Sequence, residues 1–312
     1  MNEVKAASDI MRRNLVTLTP ECDVMDSVAR LLRDNISGAP VLGADGGYLA
    51  VFSEKCCMNA LTEPVETARA EGLHITRVRE FMVSKLVTIN PEMDVFDAID
   101  HLLSRRISGA PVVDSRGHYL GIFSEKTAMR ALIAALHDQL PGTSVNQYMN
   151  LDRNRIIHED DSLLDIAHKF QETPYRRLPV LQGERLAGQV SRRDVLRAEC
   201  RLACEVVERA KSNHASDNLR RAAQPRQIGP YMDTEALTAS PSTDLLGIAQ
   251  MFLNSPYRRL PIVEEGRLLG QVSRRDLLEA AAELLRPKPE RRGAETLYLS
   301  LVSSTAPESF RR

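Results

Sequence analysis

One pattern recurs four times along the 312-residue chain, and this repetition constrains the fold more than any other feature of the sequence. Residues 11–41 return as residues 82–112 at an offset of 71 positions, without a gap. Ser-Glu-Lys at 53–55 returns at the same offset at 124–126. Units this small bury little apolar surface alone, so we expect neighbouring copies to share a core.

A second pair of copies lies further along the chain. Residues 173–196 return as residues 255–278 at an offset of 82 positions. The longer offset reflects an additional segment, residues 204–227, which is rich in Arg and Ala and which we expect to be helical or mobile. In all four copies a proline opens an apolar run and a serine closes another. These residues are Pro40, Pro111, Pro179 and Pro261, and Ser53, Ser124, Ser191 and Ser273.

The second copy predicts the order strand, helix, strand, strand, helix. Residues 86–91 form a short strand-like run that ends at a proline. Asp94 is the expected N-cap of an amphipathic helix. Residues 110–114 and 119–123 are expected strands on either side of a turn, and Ser124 is expected to start the second helix.

We therefore predict an α/β (α+β) protein whose four repeats pair into two modules, the first with the second and the third with the fourth. Ligand affinity should then largely survive the removal of residues 1–140 if the second module folds alone. The expected boundaries are 8–62, 77–136, 143–203 and 228–286 for the repeats, 204–227 for the linker and 287–312 for a disordered tail.

Composition excludes several classes of protein. Hydrophobic residues at 43% and charged residues at 27% are ordinary for a globular protein, and the net charge of -1 argues against nucleic-acid binding by bulk electrostatics. The halves differ, with 15 basic and 19 acidic groups in residues 1–140 and 26 and 23 in residues 141–312. No long apolar run or signal-peptide core is present in the sequence, so we expect a cytoplasmic protein without a membrane segment.

Nothing in the sequence indicates catalysis, and we predict that the protein is not an enzyme. The seven histidines lack a recurrent partner at ligand or triad spacing, and no phosphate-loop, zinc-protease or nucleophile-elbow motif is present. Cys200 and Cys204 lie four residues apart, but no nearby histidine completes a zinc set, so no metal site is expected. Cys56 and Cys57 are interpreted as small buried thiols rather than as a redox pair.

The fourfold Pro-Val or Pro-Ile pair, followed in repeats three and four by Gly-x-x-Ser-x-x-Asp, resembles the cystathionine beta-synthase (CBS) domain family over about residues 8–286. The resemblance implies two Bateman modules, in each of which two repeats pack through their sheets and leave two clefts for adenosine-type ligands. Four repeats in one chain are also similar to the layout of the gamma subunit of AMP-activated protein kinase.

The third and fourth repeats carry the complete motif. A serine at a strand-to-helix junction places free backbone N–H groups where they favour an anion, and a carboxylate three residues later can accept two hydrogen bonds from a ribose diol. The resemblance assigns the same roles, the aspartates to ribose, the serines to phosphate and the valines to the adenine slot. The alternative is that Ser and Asp only cap the helix, and both can hold. The residues are Val190, Ser191 and Asp194, and Val272, Ser273 and Asp276.

Arginines recur before Leu-Pro in the same two repeats. The resemblance implies that Arg177 and Arg259 point at phosphates near the centre of a module, and guanidinium suits phosphate because its planar fork donates two charge-assisted hydrogen bonds. Arg176 and Arg258 stand where the gamma-subunit pattern often has His. The alternative for the arginines is pairing with Glu or Asp. The remaining candidates are Arg193 and Arg275.

The first two repeats depart from the motif where ribose would be held. Cys56 and Thr127 replace the aspartate, and no arginine precedes the proline. We therefore expect these repeats to be structural, to form a partner surface or to bind something uncharged.

The leading hypothesis is a regulatory protein that binds an adenine nucleotide (AMP, ADP or ATP), with Mg²⁺ left open, and that acts on a separate protein partner. We also expect a homo-oligomer, since stacked modules favour self-association. The alternatives are a scaffold with unoccupied clefts, an S-adenosylmethionine binder and, least supported because aromatic residues are few, a nucleic-acid binder.

Overall fold

The computed structural model describes residues 5–136 and 143–285, so the predicted tail at 287–312 lies outside the described residues. The longer helices are α2 (Val24–Arg33), α3 (Glu54–Ala70), α5 (Val95–Ser104), α6 (Glu125–Leu136), α7 (Leu163–Glu172), α8 (Arg192–Ala210), α10 (Leu245–Asn254) and α11 (Arg274–Leu285). The short helices are α1 (Ala7–Ile10), α4 (Val78–Phe81) and α9 (Asp217–Ala222). The strands are β1 (Gly38–Leu42), β2 (Tyr48–Ser53), β3 (Gly109–Val113), β4 (Tyr119–Ser124), β5 (Arg177–Gln182), β6 (Arg185–Ser191), β7 (Arg259–Glu264) and β8 (Arg267–Ser273).

Each repeat contains one antiparallel hairpin followed directly by a helix, as the sequence predicts. The hairpins are β1–β2, β3–β4, β5–β6 and β7–β8. In each hairpin the last residue of the second strand is the recurrent serine, and the following helix begins at the next residue. Asp94 caps α5 as predicted, since its side chain accepts a hydrogen bond from the backbone N–H of Phe96. The predicted mixed helix-and-strand fold with four repeats is confirmed.

The predicted first strand of each repeat is shorter than the sequence indicates. Residues 86–91 contribute a single parallel bridge, from Ile89 to Val112, and the other repeats have the matching bridge. In repeat two the run cannot extend further because Pro91, without an N–H donor, follows at once.

Repeats pair through their backbone edges in an order that the sequence did not predict. Isolated bridges join repeat one to repeat four at Arg12–Gln271 and Val51–Asp233. The matching bridges join repeat two to repeat three at Val83–Gln189 and Ile122–Asn150. The expected modules, one with two and three with four, are therefore wrong. The sheet-edge pairs are repeats one and four and repeats two and three.

Glycines in the motif leave room for the backbone of the neighbouring repeat at these bridges. A Cβ at Gly270 would lie 2.8 Å from the carbonyl oxygen of Arg12, and one at Gly188 would lie 2.8 Å from the sulfur of Met82 and 3.1 Å from the carbonyl oxygen of Val83. The partner segment thus passes where any side chain would clash. At Gly188 and Gly270 the first position of Gly-x-x-Ser-x-x-Asp therefore has no room for a Cβ.

Helices pair the repeats in a second direction. One apolar core combines repeats one and three, with α3 packed along α8, and the other combines repeats two and four, with α6 packed on α10 and α11. Every repeat therefore shares a sheet edge with one neighbour and a core with another, so the four repeats form a closed arrangement.

The segment 204–227 is helical over much of its length. Helix α8 continues to Ala210, and α9 follows with Leu219 and Ala222 buried in the core of repeats one and three. Its basic residues Arg221 and Arg226 lie 3.5 Å from the carboxylate of Glu63. These two arginines are therefore paired and do not form an unpaired basic surface.

Candidate functional site

All four repeats converge on a cavity of about 640 Å³, which we call the central cavity. Its lining includes nine arginines and three carboxylates, an excess of positive charge that favours an anion. The arginines are Arg12, Arg106, Arg176, Arg177, Arg192, Arg193, Arg258, Arg259 and Arg275, and the carboxylates are Asp34, Glu54 and Asp276.

The motif serines and aspartates cap their helices. The backbone N–H and the hydroxyl of Ser273 donate to Oδ2 of Asp276 at 2.8 and 2.6 Å, and Ser191 makes the same two bonds to Asp194 at 2.9 and 2.6 Å. The capping interpretation therefore holds, and each carboxylate keeps Oδ1 for another partner. Ser191, Ser273 and Asp276 line the central cavity, whereas Asp194 is not in its lining.

The two aspartates have different neighbours. Oδ1 of Asp276 accepts a hydrogen bond of 2.9 Å from Nε of Arg12, whose backbone is fixed by its bridge to Gln271. The Arg12 side chain is 66% exposed and that of Asp276 only 7%. In the other sheet-edge pair, Val83 occupies the position of Arg12, and Oδ1 of Asp194 lies 3.7 Å from Nη1 of Arg197.

Arg177 and Arg259 reach across the sheet-edge pairs. Nη2 of Arg177 donates to the hydroxyl of Ser108 at 3.3 Å, and Nη1 of Arg259 donates to the carbonyl of Gly38 at 3.1 Å. Burial, followed by the nearby guanidinium groups of Arg258 and Arg176, lowers the pKa of each to about 10. Among the described residues neither has a carboxylate within ion-pair distance, so their charge is available to an anionic ligand.

The remaining predicted arginines form ion pairs with two buried glutamates. Glu54 accepts from Arg176 at 2.9 Å and from Arg193 at 3.3 Å. In the same way Glu125 accepts two bonds of 3.1 Å from Arg258 and lies 3.9 Å from Arg275. These ion pairs link repeats one and three and repeats two and four.

Val190 and Val272 do not form a slot wall. Both are fully buried, one in each apolar core, and neither lines the central cavity. They follow the strand alternation, in which every second side chain faces the core. The predicted contact with adenine is therefore wrong for these two residues.

Sequence reasoning missed Arg12, Glu54 and Glu125. A signal for the glutamates was present, because the residue after the recurrent serine is Glu in repeats one and two and Arg in repeats three and four. Those arginines, Arg192 and Arg274, are buried against Phe170 and Phe252 and donate to backbone carbonyls of the same repeat.

The thiols are packing residues, as the sequence indicated. Cys56 and Cys57 are buried and unbridged, and burial raises the pKa of both. Within residues 5–136 and 143–285, no group of three or more His, Cys, Asp and Glu residues is placed to hold a metal ion. In the same part of the chain no helix is both long and apolar enough to cross a membrane.

Comparison with known proteins identifies the repeats. The profile of the CBS domain matches residues 7–63, 78–134, 151–201 and 226–283. These four matches cover well over half of the chain.

Several known proteins are similar to parts of this chain or to most of it. MJ1225 of Methanocaldococcus jannaschii, itself uncharacterized, is 25% identical over 203 residues, which are 65% of this chain and 69% of the relative. Its crystal structure, described as that of a proposed archaeal homologue of g-AMPK, aligns over 88% of this chain and 99% of its own at 20% identity, with a TM-score of 0.39. CBSX2 of Arabidopsis thaliana, solved in complex with AMP, aligns over 40% of this chain and 97% of its own at 26% identity, with a TM-score of 0.37.

Proposed function

The chain belongs to the CBS domain family, and from this premise we propose that it is a non-catalytic regulatory protein that binds an adenine nucleotide, AMP, ADP or ATP. In this proposal Asp276 and Asp194 hold the ribose, and Arg259 and Arg177 hold phosphate. Each nucleotide lies between unlike repeats, one between repeats four and one and the other between repeats three and two. Arg176, Arg193, Arg258 and Arg275 act indirectly, by keeping the buried glutamates neutralised.

The observation that carries the proposal is the pair of partly buried arginines, Arg177 and Arg259, without a carboxylate partner in the described chain. Burying a cation without a counter-charge costs free energy, and a bound phosphate removes that cost. A phosphate ligand also accounts for nine arginines facing three carboxylates in the central cavity.

The same charge excess bears on the choice of ligand. S-Adenosylmethionine carries a sulfonium cation and no phosphate, so it would bring positive charge to a cavity that is already positive. We therefore favour a nucleotide over S-adenosylmethionine. The proposal includes a separate protein partner that responds to the nucleotide, because regulation requires a second state or protein with different affinity.

The test is calorimetric titration of AMP, ADP, ATP and S-adenosylmethionine, with and without Mg²⁺, into the full chain and into an Asp194→Ala/Asp276→Ala variant. We expect a nucleotide to bind the wild type and to bind the variant at least tenfold more weakly. Failure of all three nucleotides to bind the wild type would refute the function, and equal binding to the variant would refute the site.

A matched control addresses the capping role of the aspartates. Thr127 makes the equivalent cap in repeat two, where its hydroxyl accepts from the backbone N–H of Ser124 at 2.8 Å. Thr127→Ala should cost similar stability and leave nucleotide affinity unchanged. If it weakens binding as much as the aspartate variant does, the loss comes from helix capping and not from ribose contact.

A further inference from the structure

A groove of about 540 Å³ lies between α5 of repeat two and α11 of repeat four, and we call it the α5–α11 groove. It has no lining residue in common with the central cavity. Four carboxylates and one histidine line it, and among the described residues its lining contains no lysine or arginine. These titratable residues are Asp97, Asp100, His101, Glu279 and Glu283.

The carboxylates of the groove repel one another and attract cations. On α11 Glu279 and Glu283 are four residues apart, and like charges at this spacing repel. Asp97 and Asp100 repeat the arrangement on α5 at a spacing of three residues. Nζ of Lys5, from a distant part of the chain, lies 3.1 Å from Oε2 of Glu283. That side chain is still 69% exposed, so the groove has room for further cationic partners.

His101 adds a buried polar atom to the lining of the groove. Its Nε2 has no hydrogen-bond partner among the described residues. A buried polar atom of this kind costs free energy unless water, a ligand or another chain segment bonds to it. Leu103 and Ala282 supply an apolar part of the lining. The groove therefore combines negative charge, a polar atom and apolar surface, which together suit a short basic peptide.

The equivalent surface of the other core pair, between α2 and α8, has the opposite charge. On α8 Arg197 stands at the position that Glu279 has on α11. Arg201 likewise stands at the position of Glu283. Both arginines are exposed. The common fold therefore does not require carboxylates at these positions, and the acidic groove is specific to repeats two and four.

The residues that follow α11 have the complementary charge and begin beside the groove. The described part of the chain ends at Leu285, two residues after Glu283. Pro287 and Pro289 lack the N–H that a continuing helix requires, so we expect the chain to leave the axis of α11 there. Residues 286–292 contain one acidic and four basic side chains. The basic residues are Arg286, Lys288, Arg291 and Arg292.

This segment is long enough to lie along the groove. Seven extended residues span about 22 Å at about 3.1 Å each. From Asp97 to Ser104, α5 covers only about 10 Å at about 1.5 Å per residue. Exposed ion pairs are individually weak, so they would hold a free peptide only at high concentration. A tethered segment has an effective concentration in the millimolar range, which favours it over a second copy or a separate basic protein.

From this arrangement we propose that residues 286–292 dock in the α5–α11 groove of their own chain, with their basic side chains paired to Asp97, Glu279 and Glu283. The docked segment covers the exposed side of α5 and α11 and holds the C-terminal end of α11. The expectation of a disordered tail then applies to residues 293–312. The proposal goes beyond the nucleotide function and does not depend on it.

The experiment is limited digestion of the full chain with trypsin, followed by mass spectrometry. Trypsin cleaves after Arg and Lys but not before Pro, so within the segment it acts only after Arg291 and Arg292. Asp97→Asn/Glu279→Gln should speed this cleavage about fivefold, because cleavage follows the population of the undocked segment. Cleavage after Lys211, which is exposed between α8 and α9, should not change and reports that the variant remains folded.

A matched control removes two exposed carboxylates from the other core pair. Asp26→Asn/Glu205→Gln, on α2 and α8, should leave cleavage after Arg291 at the wild-type rate. A segment variant, Arg286→Gln/Lys288→Gln, removes no trypsin site and should speed the cleavage as the groove variant does. Combining the groove and segment variants should add little further, because both remove the same contact.

Several results would overturn the proposal. The groove variant might be cleaved at the wild-type rate, or the matched control might be cleaved as fast as the groove variant. Multiplied effects in the combined variant would show that the groove and the segment act independently. Protection that weakens when the protein is diluted would place the segment on a second copy. Absence of nucleotide binding would refute the proposed function and leave the digestion result standing.

Discussion

Two adjacent arginines, Arg176 and Arg177, should have opposite effects on the free energy of unfolding. Arg176 neutralises the buried carboxylate of Glu54, whereas Arg177 has no carboxylate partner in the described chain. We expect Arg176→Gln to lower the free energy of unfolding by about 1–3 kcal/mol, because it leaves Glu54 with one weaker partner. Arg177→Gln should raise it by about 1 kcal/mol and weaken nucleotide binding.

Urea denaturation of both variants, with calorimetry for the nucleotide, measures these effects. Arg258→Gln and Arg259→Gln provide the matched pair in repeat four, where Glu125 is the buried carboxylate. A destabilising effect of Arg177→Gln would mean that its contact with Ser108 outweighs the burial of its charge.

Arg12 should make the two nucleotide clefts unequal. A ribose that binds Asp276 must displace the Arg12 guanidinium, while Asp194 faces a segment with Val83 instead. We expect Arg12→Val to raise nucleotide affinity at the Asp276 cleft by up to about fivefold, the usual limit for an exposed ion pair. Titration in an Asp194→Ala background isolates this cleft.

The reciprocal substitution, Val83→Arg in an Asp276→Ala background, should weaken binding at the Asp194 cleft. If Arg12→Val instead lowers affinity, Arg12 contacts the bound ligand rather than competing with it.

At the residue scale the sequence predicted the chemistry of the site better than its geometry. The motif predicted that Ser273 and Asp276 would lie together at a helix start. Two residues that are three positions apart in the first turn of a helix lie close enough for their side chains to bond. It could not distinguish Arg177 from Arg176, because the distinction depends on a glutamate more than a hundred residues away. Val190 was misassigned because a motif position does not reveal which face of a strand it occupies.

At the scale of elements, the sequence predicted the strand-to-helix junctions correctly, because a single serine marks each of them. The recurrent serine ends β2 and precedes α3 because its side chain caps a free N–H group of the helix, and the serines of repeats two and four make the same bond. The first strand of each repeat was overestimated, because an apolar run of five or six residues does not reveal how much of it finds a partner.

Helix α8 contains a buried carboxylate with a predictable pH effect. Glu199 is 1% exposed in the core of repeats one and three, its Oε2 has no hydrogen-bond partner among the described residues, and burial raises its pKa well above the usual range. The folded protein therefore holds the proton that the unfolded chain releases above about pH 4.5. Stability should fall as the pH rises from there, by at most about 1.4 kcal/mol per pH unit.

Urea denaturation at pH 5 and pH 7 checks this effect by comparing wild type with Glu199→Gln. The variant should be more stable than the wild type at pH 7 and should show a smaller loss between the two pH values. An identical pH dependence in both proteins would mean that Glu199 is ionised and satisfied in the fold.

At the scale of the whole molecule, sequence similarity identified the repeats but not their neighbours. Similarity measures how alike two copies are, whereas contact requires that their surfaces complement each other. Glu54 and Glu125 stand at equivalent positions of the two similar repeats, and each needs the arginines that only repeats three and four possess. Unlike copies therefore pair, and charge complementarity was the sequence signal for it.

This pairing changes the expectation for truncation. A fragment of residues 143–285 would keep half of each apolar core and would lack both sheet-edge partners. We expect it not to fold cooperatively, because each exposed half-core loses the burial that stabilises it. Thermal unfolding followed by circular dichroism, with residues 5–285 as the control, tests this. A cooperative transition and retained nucleotide binding in the fragment would instead support the independent second module.

The closed arrangement of repeats also sets an order of events during synthesis. Repeat one emerges from the ribosome first, yet its core partner is repeat three and its sheet-edge partner is repeat four. The cleft between repeats two and three can be completed while repeat four is still being translated. The cleft at Asp276 must wait for β8 and α11, so the nascent chain would complete the two proposed nucleotide clefts one after the other.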